Sequence, residues 1–179
     1  MSDVLINYYD ENIKGEELFF GDAPKKKNED DKSRFFRVID DQSKLIKYSV
    51  TGLDVGKVTN MIMNFKLVNF GPVKNDLPNS LYVENDIISG TVVPFYENGT
   101  SLYKIGETHS LSSLSKFYKR DDDDIRNLFI MLEEILTKLE ELVDSGIFYT
   151  DTNPGNFIVE SNNVHLIDFD PKYITYDAT

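Results

Sequence analysis

Asp151, Asn156 and Asp168 are the residues of this chain whose types and spacing could do chemistry. They stand in IFYTDTNPGNFIVESNNVHLIDFDP, where Asp151 precedes Asn156 by five residues across a Pro-Gly turn and Asp168 follows the second of two short apolar runs, FIV and VHLI. Two such runs read as strands, and polar clusters at their ends can converge several oxygen ligands on one spot. Magnesium takes hard oxygen donors, one or two from protein and the remainder from phosphates and water, so an Asn and an Asp flanking a hairpin suit it. A third acid close by could orient or deprotonate a hydroxyl that attacks a terminal phosphate. Taken singly, an Asp or Asn in an acid-rich chain is most often a turn or surface residue. The three together, after a long helix and around two strands, form a far more specific pattern.

The elements that must position these residues can be read from periodicity. In KRDDDDIRNLFIMLEEILTKLEELVDSG, the residues Ile125, Leu128, Phe129, Leu132, Ile135, Leu136, Leu139, Leu142 and Val143 fall on one wide apolar stripe, which predicts a long amphipathic helix. Aspartates 121–124 at its start suit free N–H groups and the positive end of the helix dipole, and Gly146 is placed to end it. A metal cluster of those aspartates is the weaker reading, because consecutive helical residues do not face one point. Upstream, RFFRVID and KLIKYSV are β-rich runs separated by Asp41, Gln42 and Ser43, which predicts an antiparallel hairpin. From Asp54 to Val68, Val55, Val58, Met61, Ile62 and Phe65 recur at helical spacing, with Gly56 weakening the helix. The Gly- and Pro-punctuated NFGPVKNDLPNS follows, then LYVENDIISG and TVVPFYENG as two more strands, the second ending in an Asn-Gly turn. Residues 22–33, DAPKKKNEDDKS, read as a charged mobile loop.

Composition limits what the chain can do. Its 179 residues, 40% hydrophobic and 12% aromatic, suffice for one domain with a real core or two small lobes. Acids outnumber bases 31 to 19, a formal net charge of -12, which speaks against nucleic acid or an anionic membrane as the main partner and leaves a basic protein surface easier to accommodate. Without cysteine there is no disulfide frame, thiolate metal site or cysteine nucleophile. The first twenty residues carry early acids and lack a signal-peptide core, and no run reaches membrane-spanning length, so a soluble, cytoplasmic protein is expected. His109, in a Ser-rich linker, and His165, in a strand, read as a turn residue and a packed strand residue.

The Asp151 to Asp170 segment resembles the protein-kinase-like superfamily, whose catalytic loop has an Asp, an Asn five residues on, and then a metal-binding Asp in a D-F-G-like triplet. The wording PGNFIV and IDFD looks closer to the small-molecule and lipopolysaccharide-kinase branches than to ordinary protein kinases. The resemblance implies Asp151 as base, Asn156 and Asp168 as magnesium ligands, and Asn153 where a phosphate-facing Lys or His is common. It also implies Lys47 as the strand lysine that holds the α- and β-phosphates, and Val93 to Tyr96, with Phe95 among them, near the adenine. The plain alternatives are an exposed strand lysine and packing residues.

The implied fold is α+β, a two-lobe kinase-like arrangement with a small antiparallel β-sheet front lobe over residues 1–97 and a truncated helical back lobe over 98–179. The implied function is an ATP- and magnesium-dependent phosphotransferase. The sequence departs from the family in several places. No G-x-G-x-x-G precedes Lys47, and no Glu lies between Lys47 and Glu84, leaving Asp54 or Asn64 to stand in. The loop begins Tyr149-Thr150 rather than with His, and Asp170 replaces the triplet's glycine. Only PKYITYDAT follows Asp170, leaving no room for an activation segment, so a protein partner or self-association is expected to cover the truncated lobe. Reduced bacterial effector kinases that act in a host cytosol are the analogy for such a shape. The competing readings are a pseudokinase or kinase-fold binding module acting through a protein partner, and a small α+β protein without nucleotide.

Overall fold

The computed structural model describes residues 8–9, 15–18, 33–49, 53–105, 122–161 and 163–177. The expected loop at 22–32, His109 and Asp121 lie outside them. The chain divides into two compact units, one of residues 1–69 with 77–95 and the other of residues 70–76 with 96–179. Helices and largely antiparallel sheets are mixed, as an α+β chain requires.

Unit 1 is built on a six-stranded sheet in the order β1-β5-β6-β4-β3-β2, comprising β1 (Tyr8–Tyr9), β2 (Gly15–Leu18), β3 (Ser33–Val38), β4 (Lys44–Ser49), β5 (Ser80–Glu84) and β6 (Ile87–Pro94). All neighbours are antiparallel except β1 and β5. The predicted hairpin is β3 and β4, with Asp41 turning the chain by accepting from the Ser43 amide at 3.2 Å. Because side chains alternate across a strand, the register Phe36–Ile46–Val92 puts those three on one face. There Val38, Ile46, Tyr82 and Val92 form a buried cluster, with Phe36 and Tyr48 packed against it and edge-to-face rings 6.2 Å apart. Lys47 belongs to the other face, in one row with Phe35, Thr91 and Leu81. Gly90, opposite Tyr48, is required by close approach, since a Cβ there would collide with the Lys47 carbonyl.

The strand boundary expected near Gly90 falls elsewhere. The chain turns at Asn85–Asp86, both with positive φ (49° and 62°), and β6 runs on from Ile87 through Gly90 to Pro94. Asn and Asp tolerate the left-handed conformation that a tight two-residue hairpin turn demands, so this pair turns the chain as Asn-Gly would.

Helix α1 (Val55–Leu67) follows the predicted span. Asp54 caps it, its side chain accepting from the Lys57 amide at 3.0 Å, and Val58, Met61, Ile62 and Phe65 are buried at i, i+3, i+4 and i+7. Val55, in the first turn, is exposed instead.

Unit 2 contains a 3₁₀ turn at Pro72–Asn75, β7 (Thr100–Ser101), α2 (Leu102–Ile105), α3 (Asp122–Asp144), β8 (Ile147–Tyr149), β9 (Phe157–Glu160), β10 (Asn163–Leu166) and β11 (Ile174–Tyr176). The strands form two small sheets, β10-β9-β7 and β11-β8. The expected FIV and VHLI strands are β9 and β10, an antiparallel hairpin. Gly146, at φ 71°, ends α3 in the left-handed conformation that glycine adopts without penalty.

Helix α3 corrects one expectation. Of its nine-residue apolar stripe only Ile135 and Leu142 are buried, joined by Lys138, whereas Ile125, Phe129, Leu132, Leu136 and Val143 are exposed. The helix packs on β8, β10 and the 3₁₀ turn along a narrow arc, and apolar periodicity alone does not tell how much of a stripe finds a partner.

Candidate functional site

The loop after β8 is held from inside. Asn153 caps the 3₁₀ turn Pro154–Asn156, its side chain accepting from the Gly155 amide at 2.8 Å, and Pro154 sits at the first turn position, where its missing N–H is no loss. Asn156 then faces back on the loop. Its Nδ2 donates to the Asp151 carbonyl at 3.1 Å and to the Tyr149 hydroxyl at 3.2 Å, so the amide oxygen is the end left to accept a cation.

The same loop is tied to the segment carrying Asp168. The Asn156 carbonyl accepts from the Ile167 amide at 2.9 Å, and the Tyr149 hydroxyl donates to the Ile167 carbonyl at 3.2 Å. The Thr150 amide and hydroxyl both donate to the Tyr173 carbonyl at 2.9 Å, while β8 pairs with β11. Asp168, one residue past Ile167, takes φ 62°, a left-handed backbone that costs a non-glycine residue about 1 kcal/mol and is held here by the structure around it. Phe169 is buried with its ring 5.1 Å from that of Tyr149. Asp170 caps the 3₁₀ turn Pro171–Tyr173 by accepting from the Lys172 amide at 3.0 Å.

Asp151, Asn153, Asn156 and Asp168 thus lie together in unit 2. Asp168 is exposed, and Asp151 and Asn156 are half-buried. Both carboxylates act on the buried Tyr149 hydroxyl: burial is the main influence raising its pKa, the bond from Asn156 opposes it, and the charges of Asp151 and Asp168 raise it further. Tyr149 therefore stays a neutral donor.

Lys47, Val93 and Phe95 lie in unit 1. Lys47 is half-buried in the middle of β4, Val93 pairs with Leu45, and Phe95 donates its amide to the Ser43 carbonyl at 2.8 Å under the Arg37 guanidinium, 5.0 Å from the ring centre. Asp54 is occupied as the α1 cap. Among the described residues no group of three or more His, Asp and Glu could hold a metal ion. An Asn–Asp pair completed by phosphate oxygens and water is a different kind of site.

A second constellation in unit 2 escaped sequence reasoning. Asp76, 2% exposed, receives four bonds: from the Tyr96 hydroxyl at 2.8 Å and His165 Nδ1 at 2.9 Å on one oxygen, and from Lys138 Nζ at 2.7 Å and the Leu166 amide at 3.1 Å on the other. Lys138, also buried, donates to the Val164 carbonyl as well, and Tyr96 stacks on His165 with ring centres 3.8 Å apart. Burial is the largest single influence on Asp76 and raises its pKa, but the bonds from His165, Lys138 and Leu166 outweigh it and hold the carboxyl below its ordinary value. Tyr96 is pushed up by burial and by the Asp76 charge. Since the Leu166 amide is fixed two residues before Asp168, this cluster anchors the strand that delivers Asp168. One signal was available: Lys138 sits between Ile135 and Leu142 on the apolar arc of α3.

No protein-family model matches the chain, and no curated protein does. Among solved structures, a twitchin kinase fragment from C. elegans, described as autoregulated protein kinase and immunoglobulin domains, is similar over 76% of this chain, with 16% identity and a TM-score of 0.47. The matched part spans 26% of that structure's own length. A likeness at this level decides neither the family nor the activity.

Proposed function

We propose that unit 2 carries a magnesium-dependent ATP site and that the chain is a phosphotransferase, with Asp151 as the base and Asn156 and Asp168 as the metal ligands. The observation that supports this most is the double use of Asn156, whose side chain holds the Asp151 carbonyl while its backbone carbonyl holds the Ile167 amide beside Asp168. One residue thereby sets the positions of both acids. The donor set fits the ion: an amide oxygen and a carboxylate are hard ligands, and two from protein suffice when phosphates and water supply the others. Bound there, magnesium-ATP would supply a transferable phosphoryl group whose charge the cation offsets. Asp151, half-buried and fixed through its own carbonyl, accepts the proton of an acceptor hydroxyl. Asn153, spent on capping, shapes the loop.

A second reading, a binding module that acts through a protein partner, is favoured by the exposed apolar stripe of α3. Calorimetric titration of ATP, with and without magnesium, into the wild type and Asp168→Ala separates the two. The proposal expects magnesium-dependent binding that the variant loses. No binding at millimolar ATP would transfer the assignment to the binding module.

A further inference from the structure

Among the described residues of unit 2, one side of α3 presents a run of exposed apolar side chains. At 100° per residue, Ile125, Phe129, Leu132, Leu136 and Val143 fall within an arc of about 60°, and the stripe they make runs about 27 Å along the axis. All five are exposed, Phe129 by 66% and Leu136 by 60%. Together they present roughly 400 Å² of apolar surface, the size of the largest apolar patch on a typical soluble monomer, which is often functional.

The charge beside this stripe selects what fits it. Asp122, Glu133, Glu140 and Asp144 occupy the neighbouring arc of the helix, with Arg126 the one base among them. Among the described residues none of these four carboxylates has an ion-pair partner. On the other side of the helix two acids are engaged: Glu141 accepts from the Val73 amide at 3.0 Å, and Glu134 lies 3.8 Å from Lys138 Nζ. Among the described residues the helix therefore offers an apolar seam with a row of net negative charge, four acids to one base, along one edge.

We infer that α3 is a docking surface for a basic amphipathic helix of a protein partner. Such a helix would set apolar anchors at i, i+4, i+7 and i+11 along the seam and Lys or Arg residues against the acidic edge. A second copy of this chain suits the seam less well, because isologous pairing of two such helices would add further negative charge to a chain already at -12.

The inference does not depend on the nucleotide site, and the test keeps the two apart. The probe is an 18-residue helical peptide with Leu at the four anchor spacings and Lys on its flanks, labelled for fluorescence anisotropy, beside a matched peptide with Glu in place of Lys. The full chain is expected to bind the Lys peptide, with affinity at least tenfold lower in the double variant Phe129→Ser/Leu136→Ser. The Glu peptide is expected to bind at least tenfold more weakly, and Glu133→Lys/Glu140→Lys to reverse that preference. Asp168→Ala leaves all of this unchanged. Both double variants alter exposed side chains, and circular dichroism confirms that they retain the helix. Equal binding of the Lys peptide to the Ser variant, equal binding of the two peptides, or no binding at millimolar peptide would each overturn the inference. So would sedimentation as a dimer that the Ser variant dissolves, which would make the occupant a second copy.

Discussion

The two units hold their working parts by different means. In unit 1 the cluster of Val38, Ile46, Tyr82 and Val92 is apolar, and its fixed geometry comes from strand register and ring packing. In unit 2 the strand that leads to Asp168 is fixed by a buried carboxylate with four donors, and the loop that carries Asp151 by the directional bonds of Asn156 and Tyr149. Apolar packing tolerates small changes of shape by relaxing, whereas a buried ion pair tolerates the loss of neither partner. The difference teaches where this molecule is brittle: at the polar anchor behind the candidate site.

The largest effect should come from Lys138→Met, which keeps most of the side chain's length and apolar stem but strips Asp76 of its cation. Leaving that carboxylate buried and unpaired is expected to cost unit 2 about 3–5 kcal/mol. Adding Asp76→Asn should recover part of the loss, because the two positions act as one unit and their effects do not add. Urea unfolding followed by hydrogen exchange at the Val164 and Leu166 amides reads this in unit 2, and the amides of Ile46 and Val92 serve as the reference in unit 1. A cost for the single variant below about 1 kcal/mol would break the comparison, because the anchor would then behave like an exposed ion pair.

The same contrast explains what could be read from the sequence. The β3–β4 hairpin, α1, α3 and the β9–β10 hairpin were legible because each is a local pattern: alternation for strands, a 3.6-residue period for helices, turn residues between them. Strands β8 and β11, three residues each, are too short to show a period. The turn at Asn85–Asp86 was missed because Asn-Gly is the stronger signal and stood further on, at Asn98–Gly99. Asp151, Asn156 and Asp168 were visible because they lie within one short stretch of chain. The Asp76 cluster was not, because its carboxylate and His165 are 89 residues apart and no spacing encodes a pair brought together by the fold. For α3, periodicity marked the apolar residues but not which of them would be covered.

Acid should act on the two units unequally. Asp76 has a folded pKa below its ordinary 3.8, so the stability it lends unit 2 is present above the unfolded value and is lost as pH falls through the lower folded one. The burial cost of the Lys138 ammonium is offset only while Asp76 is ionised, since a neutral Asp76 gives Lys138 no counter-charge. In unit 1 the carboxyls of Asp41 and Asp54 are also lowered, by Lys44 and Lys57 respectively, but Asp54 is exposed and Asp41 only half-buried, so solvent screens their pairs. An NMR titration downward from pH 6 is therefore expected to broaden or shift the Val164 and Leu166 amides first, at a pH where those of Ile46 and Val92 still hold their native positions. The double variant Lys138→Met/Asp76→Asn, which carries neither charge, should remove the early phase. Simultaneous loss in both units would show that the buried anchor is not the acid-sensitive element.

The smallest expected effect lies in unit 1 and sharpens the contrast from the other side. Ile46 is 2% exposed and packs between Phe36 and Val92 in the register of three adjacent strands. Ile46→Val removes one methylene from this apolar cluster while keeping the β-branch that suits a strand, so the loss is a transfer contribution plus whatever small cavity the neighbours fail to close. That amounts to about 1 kcal/mol in urea unfolding. Phe36 and Tyr48 are only half-buried and flank the cluster, so they have room to shift toward the gap. No donor or acceptor is orphaned, and the titration of the Leu166 amide should be the same as in the wild type. A cost comparable to that of Lys138→Met would mean that the apolar cluster is as intolerant as the ionic anchor, and the distinction between the two units would reduce to burial alone.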